Sequence, residues 1–127
     1  MELEPLELAV LRMLLDGRHP VLSALRAQLN GLSVIRRERT GSGFFTTLSP
    51  DVNANPARIS TDKLRFGDVQ ATIEGLARGA GFLLFVDNGL LKVLEGYSYE
   101  EPWPERVELF QLRYQQPDRS AVLCKLI

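Results

Sequence analysis

The sequence predicts an α+β fold in which two N-terminal helices pack on one face of a twisted, mainly antiparallel sheet of five or six strands. Two observations predict it. Apolar residues recur at helical spacing up to Gly31 and then mostly at the two-residue spacing of strands. In addition, Asp87-Asn88-Gly89 lies between two apolar runs, and Asn-Gly readily supplies the positive φ angles of a tight hairpin turn. We expect a single domain over residues 1–127.

Residues 1–31 are expected to form a helical hairpin. Leu6, Val10 and Leu14 recur at helical spacing, and the acidic residues before them suit the positive end of the helix dipole. Pro20 suits the first turn of a second helix, which Asn30-Gly31 ends. The linker over 16–19 is short, and therefore favours an antiparallel pair.

Residues 32–116 are expected to form the antiparallel sheet. The run 82–86 is apolar on both faces, which is typical of a central strand. The polar loop 49–62 is the longest expected connection, and we expect it to be mobile or to bind. Residues 117–127 are expected to form a C-terminal tail or an edge strand. The predicted strands cover 32–40, 44–48, 69–74, 82–86, 90–97 and 106–114.

An internal echo links two of these strands. Gly41-Ser42-Gly43-Phe44 resembles Gly79-Ala80-Gly81-Phe82, because each places glycine, a small residue and glycine before phenylalanine. We expect both strands to begin with the same bulged backbone, at a close approach that only glycine tolerates.

Composition argues against several classes of function. With one His and one Cys, no metal cluster and no internal disulfide is expected, and the glycine motifs of phosphate and dinucleotide cofactors are absent. Cys124 is expected to be a small buried hydrophobe. No apolar run reaches the roughly 18 residues of a membrane helix, and the acidic N-terminus does not resemble a signal peptide. We therefore expect a cytoplasmic protein with no membrane contact and no cofactor.

Charge is unevenly distributed along the chain. Residues 17–66 hold eight basic and three acidic side chains, and residues 67–110 hold three basic and eight acidic. Two interpretations of these segments stand side by side: ion-paired faces, or a dipolar surface that steers a partner. The basic run 36–39 is expected to divide across a strand, with Arg37 and Arg39 on one face. Together with a pI near 5.8, this argues against nucleic-acid binding.

Glu95 is the one candidate for acid–base catalysis. It follows Val93-Leu94 and precedes Gly96 and Tyr97, so we expect it at the edge of the core. A partly buried glutamate can have a raised pKa and then act as an acid or base. The alternative is a structural glutamate that accepts backbone hydrogen bonds or pairs with an arginine.

The segment after the predicted hairpin is the best candidate for partner binding. Its aromatic and acidic side chains alternate, and rigid aromatics with polar tips dominate binding hot spots. For the tryptophan, the alternative is a lid whose indole seals the end of the sheet. We call this set the acidic aromatic rim: Tyr97, Tyr99, Glu100, Glu101, Trp103 and Glu105.

Four motifs support a resemblance. They are GSGFFT at 41–46, GAGFLLF at 79–85, LEGY at 94–97 and WP at 103–104. Over residues 41–48 and 79–104, about a quarter of the chain, the protein resembles a family of small, uncharacterised bacterial proteins. The resemblance implies that the hairpin is the hallmark of the family, and it implies no activity.

The leading hypothesis is a non-enzymatic bacterial module that binds another protein. One version resembles the immunity proteins of toxin competition systems, with the acidic aromatic rim covering a basic toxin domain. The alternatives are an enzyme that uses Glu95 and a small-molecule carrier or sensor. The latter would have an apolar pocket between helices and sheet lined by Phe44, Phe82, Phe85 and Tyr97. An edge strand at 106–114 would let any of these form a homodimer.

Overall fold

The computed structural model describes residues 1–126. Two helices precede a seven-stranded sheet, so the predicted α+β class is confirmed and the sheet has at least one strand more than expected. Ile127, the end of the predicted tail, lies outside the described residues. The elements are α1 (Pro5–Leu14), α2 (Pro20–Ala27), β1 (Ser33–Arg39), β2 (Gly43–Ser49), β3 (Lys63–Phe66), β4 (Val69–Ile73), β5 (Leu76–Asp87), β6 (Leu90–Ser98), β7 (Phe110–Tyr114) and α3 (Ser120–Lys125).

The sheet is built around β5. The strand order is β1-β2-β6-β5-β4-β7, and every described strand pair is antiparallel. β3 is outside this order and pairs with a second part of β5. β5 is long enough, at 12 residues, for its first half to pair with β4 and its last part with β3, while β6 runs along its other side. The central position predicted for 82–86 is confirmed. Sequence reasoning missed β3 because four residues after a polar loop give too short an alternation.

The core lies between the two N-terminal helices and one face of the sheet. Alternate residues of the central strands point into it, because successive side chains of a strand face opposite ways. These side chains are at most 1% exposed, as are those on the inner faces of α1 and α2. The set comprises Phe82, Leu84, Val86, Leu91 and Leu94 from the sheet and Val10, Leu11, Leu14, Leu22 and Leu25 from the helices.

The predicted turn between β5 and β6 is present, and the loop 49–62 is anchored on it. Asn88 and Gly89 have φ angles of 50° and 78°, which is the positive-φ pair that such a turn requires. The N–H of Ala57, at the centre of the loop, donates to the Gly89 carbonyl at 2.9 Å. The buried Gln28 side chain from α2 also bonds to this turn. The part of the loop around Ala57 is thus held by buried hydrogen bonds.

The C-terminal segment differs from the prediction of a tail or edge strand. Residues 120–125 form α3, which starts where Asp118 accepts hydrogen bonds from the Ser120 N–H and hydroxyl. A helix of six residues leaves almost no periodic signal, and its stability comes from tertiary packing, here through the buried Val122. Cys124, expected to be buried, is exposed.

The last strand is shorter than predicted. Residues 106–109 are not in a strand, and β7 begins only at Phe110, where pairing with Ile73 of β4 starts. The strand continues to Tyr114, which pairs with Val69. Within residues 1–126, no helix is long and apolar enough to cross a membrane.

Candidate functional site

The second face of the sheet carries apolar side chains that the helices do not cover. We call it the open face and define it by the outward residues of β2, β6 and β5, all of which are half-buried except two buried glycines, Gly43 and Gly81. The register arranges them in three cross-strand rows. The rows are Gly43–Tyr97–Gly81, Phe45–Glu95–Leu83 and Thr47–Val93–Phe85.

The first row explains the glycine echo seen in the sequence. Gly43 and Gly81, the second glycines of the two motifs, both pair with Tyr97, one from each side. The first glycines, Gly41 and Gly79, have φ angles of 84° and 73°. A Cβ on Gly81 would lie 2.6 Å from the Tyr97 ring, so the ring lies over the glycine backbone. A Cβ on Gly43 would likewise meet the Gly96 carbonyl, so the predicted close approach is present at both motifs. The predicted shared bulge at the start of each strand is wrong, because the register has no shift at Gly43 and β5 begins before its motif, at Leu76.

Glu95 lies at the centre of the open face. Its cross-strand neighbours are Phe45 and Leu83, and Val93 and Tyr97 flank it along β6. Burial raises the pKa of the Glu95 carboxyl, and the nearby Arg65 charge partly opposes the rise. Burial also raises the pKa of Tyr97, with the neighbouring Tyr99 and the Glu95 charge contributing. Glu95 is partly buried, as the sequence predicts, although its surroundings are a broad sheet surface.

This environment makes a testable prediction for stability. A raised pKa in the folded protein means that protonated Glu95 favours folding below the unfolded-state pKa, and that this contribution is lost as pH rises through the folded-state pKa. We expect Glu95→Gln to increase the free energy of unfolding at pH 7 by less than about 1 kcal/mol, because the group is half-exposed.

Urea unfolding at several pH values checks this prediction. The advantage of Glu95→Gln should shrink as pH falls from neutral towards 4.5, the ordinary pKa of the group. Glu38 pairs with Phe45 in the same cross-strand row and forms an exposed ion pair with Arg36. Glu38→Gln is therefore the matched control, and no gain is expected from it. An equal gain from both variants would contradict the interpretation.

A groove with basic walls occupies the part of the open face near the β5–β6 turn. Its volume is about 760 Å³. Phe45, Phe85 and Val93 form its apolar floor, and Arg65 extends over the Phe85 ring, 5.9 Å from its centroid. We call it the basic groove. Its charged side chains are Lys63, Arg65, Lys92 and Lys125, with Asp87 as the one acidic residue.

The acidic aromatic rim does not form a single surface. Tyr97 and Tyr99 make an edge-to-face contact, with ring centroids 5.8 Å apart, beside the open face. Trp103 instead packs its ring edge-to-face on Phe44, with centroids 5.3 Å apart, and its backbone N–H donates to the Gly41 carbonyl. The alternative of a lid over the end of the sheet is therefore what the structure shows for Trp103.

The acidic residues of the rim also separate. The Glu101 carboxylate accepts hydrogen bonds from the backbone N–H groups of Ala77 and Arg78, both at 2.9 Å, and these bonds lower its pKa. Glu101 thus fastens the rim segment to β5. Glu100 is exposed and has a φ of 67°, while the exposed Glu105 lies beside a cleft at the start of α1.

The pocket expected between helices and sheet is not formed by the predicted residues. Phe82 is 1% exposed within the core, whereas Phe85 and Tyr97 lie on the open face. Phe44 lines a different cleft, of about 250 Å³, which lies between the start of α1 and residues 103–108. None of the other three residues lines that cleft. Arg37 lies in this cleft, but its guanidinium is engaged by Glu7.

The residues missed by sequence reasoning are those of the basic groove. Phe45 was assigned only to a strand, and Phe85 was assigned to a pocket between the helices and the sheet and not to the opposite face. One signal could have found them: 82–86 is apolar on both faces, and only one layer of helices is available to cover the sheet. An apolar strand face without a covering layer predicts an exposed apolar surface.

Comparisons of the chain with protein-family models, with curated proteins and with solved structures give no match. The resemblance of residues 41–48 and 79–104 to small bacterial proteins stays a prediction. Among residues 1–126, no group of three or more His, Cys, Asp and Glu side chains is arranged to hold a metal ion.

Proposed function

We propose that the protein is a non-enzymatic binding module that docks another protein on the open face of its sheet. The observation that carries this proposal is the uncovered apolar surface of β2, β6 and β5. A sheet packed on one side by helices normally alternates apolar and polar residues, with the polar ones facing water. Here Phe45, Leu83, Phe85 and Val93 occupy positions where polar residues are expected.

The composition of the open face favours a macromolecular partner over a small substrate. Aromatic side chains are enriched at the centres of protein interfaces, and Phe45, Phe85, Tyr97 and Tyr99 are all partly exposed on or beside this face. Catalysis by Glu95 is supported by its raised pKa, but a general acid or base also needs an enclosed position against its substrate. A half-exposed carboxylate on a sheet surface fits an interface better.

Site-specific photocrosslinking tests the proposal. A benzoylphenylalanine at Leu83, on the open face, should give a discrete protein adduct in cells of the native host. The same group at Arg12, exposed on α1, serves as the control and should give none. The partner identified from the adduct is then purified, and its affinity is measured by titration calorimetry. We expect Val93→Asp, which places a charge in the open face, to weaken binding at least tenfold.

Three outcomes would overturn the proposal. Adducts of equal yield at both positions would show that the open face is not selective. An adduct made only with nucleic acid would assign the surface to a different class of partner. Unchanged affinity of the folded Val93→Asp variant for the purified partner would place the contact elsewhere on the protein.

A further inference from the structure

We infer that the partner inserts an acidic segment, with carboxylates interspersed among apolar side chains, into the basic groove. This inference rests on the proposed function, because it names the chemistry of the partner at the open face. It is opposite in sign to the basic toxin domain that the sequence-based hypothesis expected. Three features of the groove support it, namely its charges, a strand bulge in one wall and its apolar floor.

Basic side chains outnumber acidic ones in the groove, where Asp87 is the one acidic residue of the lining and Glu95 is close enough to feel the Arg65 charge. Among residues 1–126, none of its four basic side chains forms an ion pair within 4.0 Å. They come from three distant parts of the chain, β3, β6 and α3, and the fold brings them to one place. The chain as a whole has a net charge of −1, so the groove is a local concentration of positive charge. Such a surface attracts and orients an anionic partner.

A β-bulge places one of these charges in the groove. Phe85 pairs with Val93, but the next residue, Val86, pairs with Leu91, so Lys92 is an extra residue in β6. A bulge redirects the side chain at its position. Without it, Lys92 and Val93 would face opposite sides of the sheet, whereas both line the groove.

The floor of the groove selects among anionic partners. Phe45, Phe85 and Val93 offer apolar contact area, which a simple anion cannot use. A nucleic acid would stack its bases on the aromatic rings, but the Arg65 guanidinium already lies over the ring of Phe85. An acidic peptide satisfies both features, since its carboxylates meet the lysines while its apolar side chains reach the floor.

A phage-displayed library of random 12-residue peptides tests the inference with a defined probe. Wild-type protein should enrich peptides that contain both Asp or Glu and large apolar residues. Synthetic versions should bind at least tenfold more weakly to Lys63→Glu/Lys92→Glu, and their affinity for wild type should fall as salt rises. Arg12→Glu/Arg18→Glu has the same charge change at exposed positions remote from the groove, and it should bind as wild type does. Circular dichroism establishes that each variant is folded.

The outcomes separate the inference from the proposed function. Peptides that bind through the open face, lost in Val93→Asp but kept in Lys63→Glu/Lys92→Glu, would overturn the acidic partner and leave the docking face in place. Peptides insensitive to Val93→Asp would count against both. A fluorescein-labelled 20-nucleotide single-stranded RNA serves as a second probe. Groove-dependent binding of this RNA without enrichment of acidic peptides would assign the groove to nucleic acid and overturn the inference.

Discussion

Replacing Arg37 by Met is expected to lower the free energy of unfolding by about 3–5 kcal/mol, because it leaves a buried carboxylate without its partner. Replacing the neighbouring Arg36 by Met should cost less than about 1 kcal/mol. Both arginines are on β1 and both are ion-paired, but only Arg37 is turned towards the helix layer. Its side chain is 17% exposed, against 69% for Arg36.

The difference comes from Glu7, whose side chain is 2% exposed. The Arg37 guanidinium donates to both Glu7 oxygens, at 2.7 and 2.9 Å, and Thr46 and the Glu4 N–H also donate to this carboxylate. Burial tends to raise the pKa of Glu7, but these hydrogen bonds and the Arg37 charge outweigh it and hold the pKa below its ordinary value of 4.5. Without Arg37, desolvation of the carboxylate would dominate.

Urea unfolding of both variants at several pH values checks this prediction. Because the pKa of Glu7 is lowered in the folded protein, its carboxylate stabilises the fold at pH values above the unfolded-state pKa. This contribution is lost as pH falls through the folded-state pKa. The wild type should therefore lose more of its stability on acidification than Arg37→Met, in which Glu7 takes up a proton more readily. The double variant Glu7→Gln/Arg37→Met should recover part of the loss. Equal costs for Arg36→Met and Arg37→Met would contradict the argument.

Strand alternation predicted part of this arrangement from the sequence. It placed Arg37 and Arg39 on one face of the strand and Arg36 on the other, and the register confirms this division. It could not predict that Arg37 would pair with Glu7, which lies 30 positions away on α1. Which helix residue faces which strand residue depends on how the two layers pack, and one sequence does not contain that information.

The acidic aromatic rim shows where reasoning from adjacency in the sequence was wrong. Six residues within nine positions were expected to share one surface, but a segment that is not in a strand can turn after each residue. The positive φ of Glu100 turns the chain, and Glu101 then reaches back to the backbone of β5. The rim is therefore divided between the open face, the edge of β5 and the lid formed by Trp103.

The basic groove could be predicted only in part. Its apolar floor follows from a strand that is apolar on both faces in a fold with one helical layer. Its lysines could not be predicted, because Lys63 lies on a strand that the sequence did not reveal, Lys92 on an unforeseen bulge and Lys125 on a helix expected to be a tail or strand. Charge segregation along the chain was visible, but the groove draws its charges from both segments and from the C-terminus.

Replacing Gln28 by Leu is expected to lower the free energy of unfolding by about 2–4 kcal/mol, since it removes three hydrogen bonds, two of them buried, and leaves the Leu91 N–H without its acceptor. The Gln28 amide donates to the carbonyls of Asn55 and Gly89, at 3.0 and 2.8 Å, and accepts from the Leu91 N–H at 2.9 Å. The side chain is 2% exposed. Gln116→Leu, at an exposed position, is the control and should change little.

The loss should be local as well as global, because Gln28 ties the loop 49–62 to the β5–β6 turn. Native-state hydrogen exchange should show that the Ala57 and Leu91 amides of Gln28→Leu exchange faster than the loss of global stability accounts for. The Leu94 amide should still exchange only through global unfolding. A variant as stable as wild type, or one in which all amides exchange faster by the same factor, would contradict this assignment. The turn that the Asn-Gly dipeptide predicts thus needs Gln28, 61 positions before Gly89, to hold the loop against it, a requirement that no local sequence signal carries.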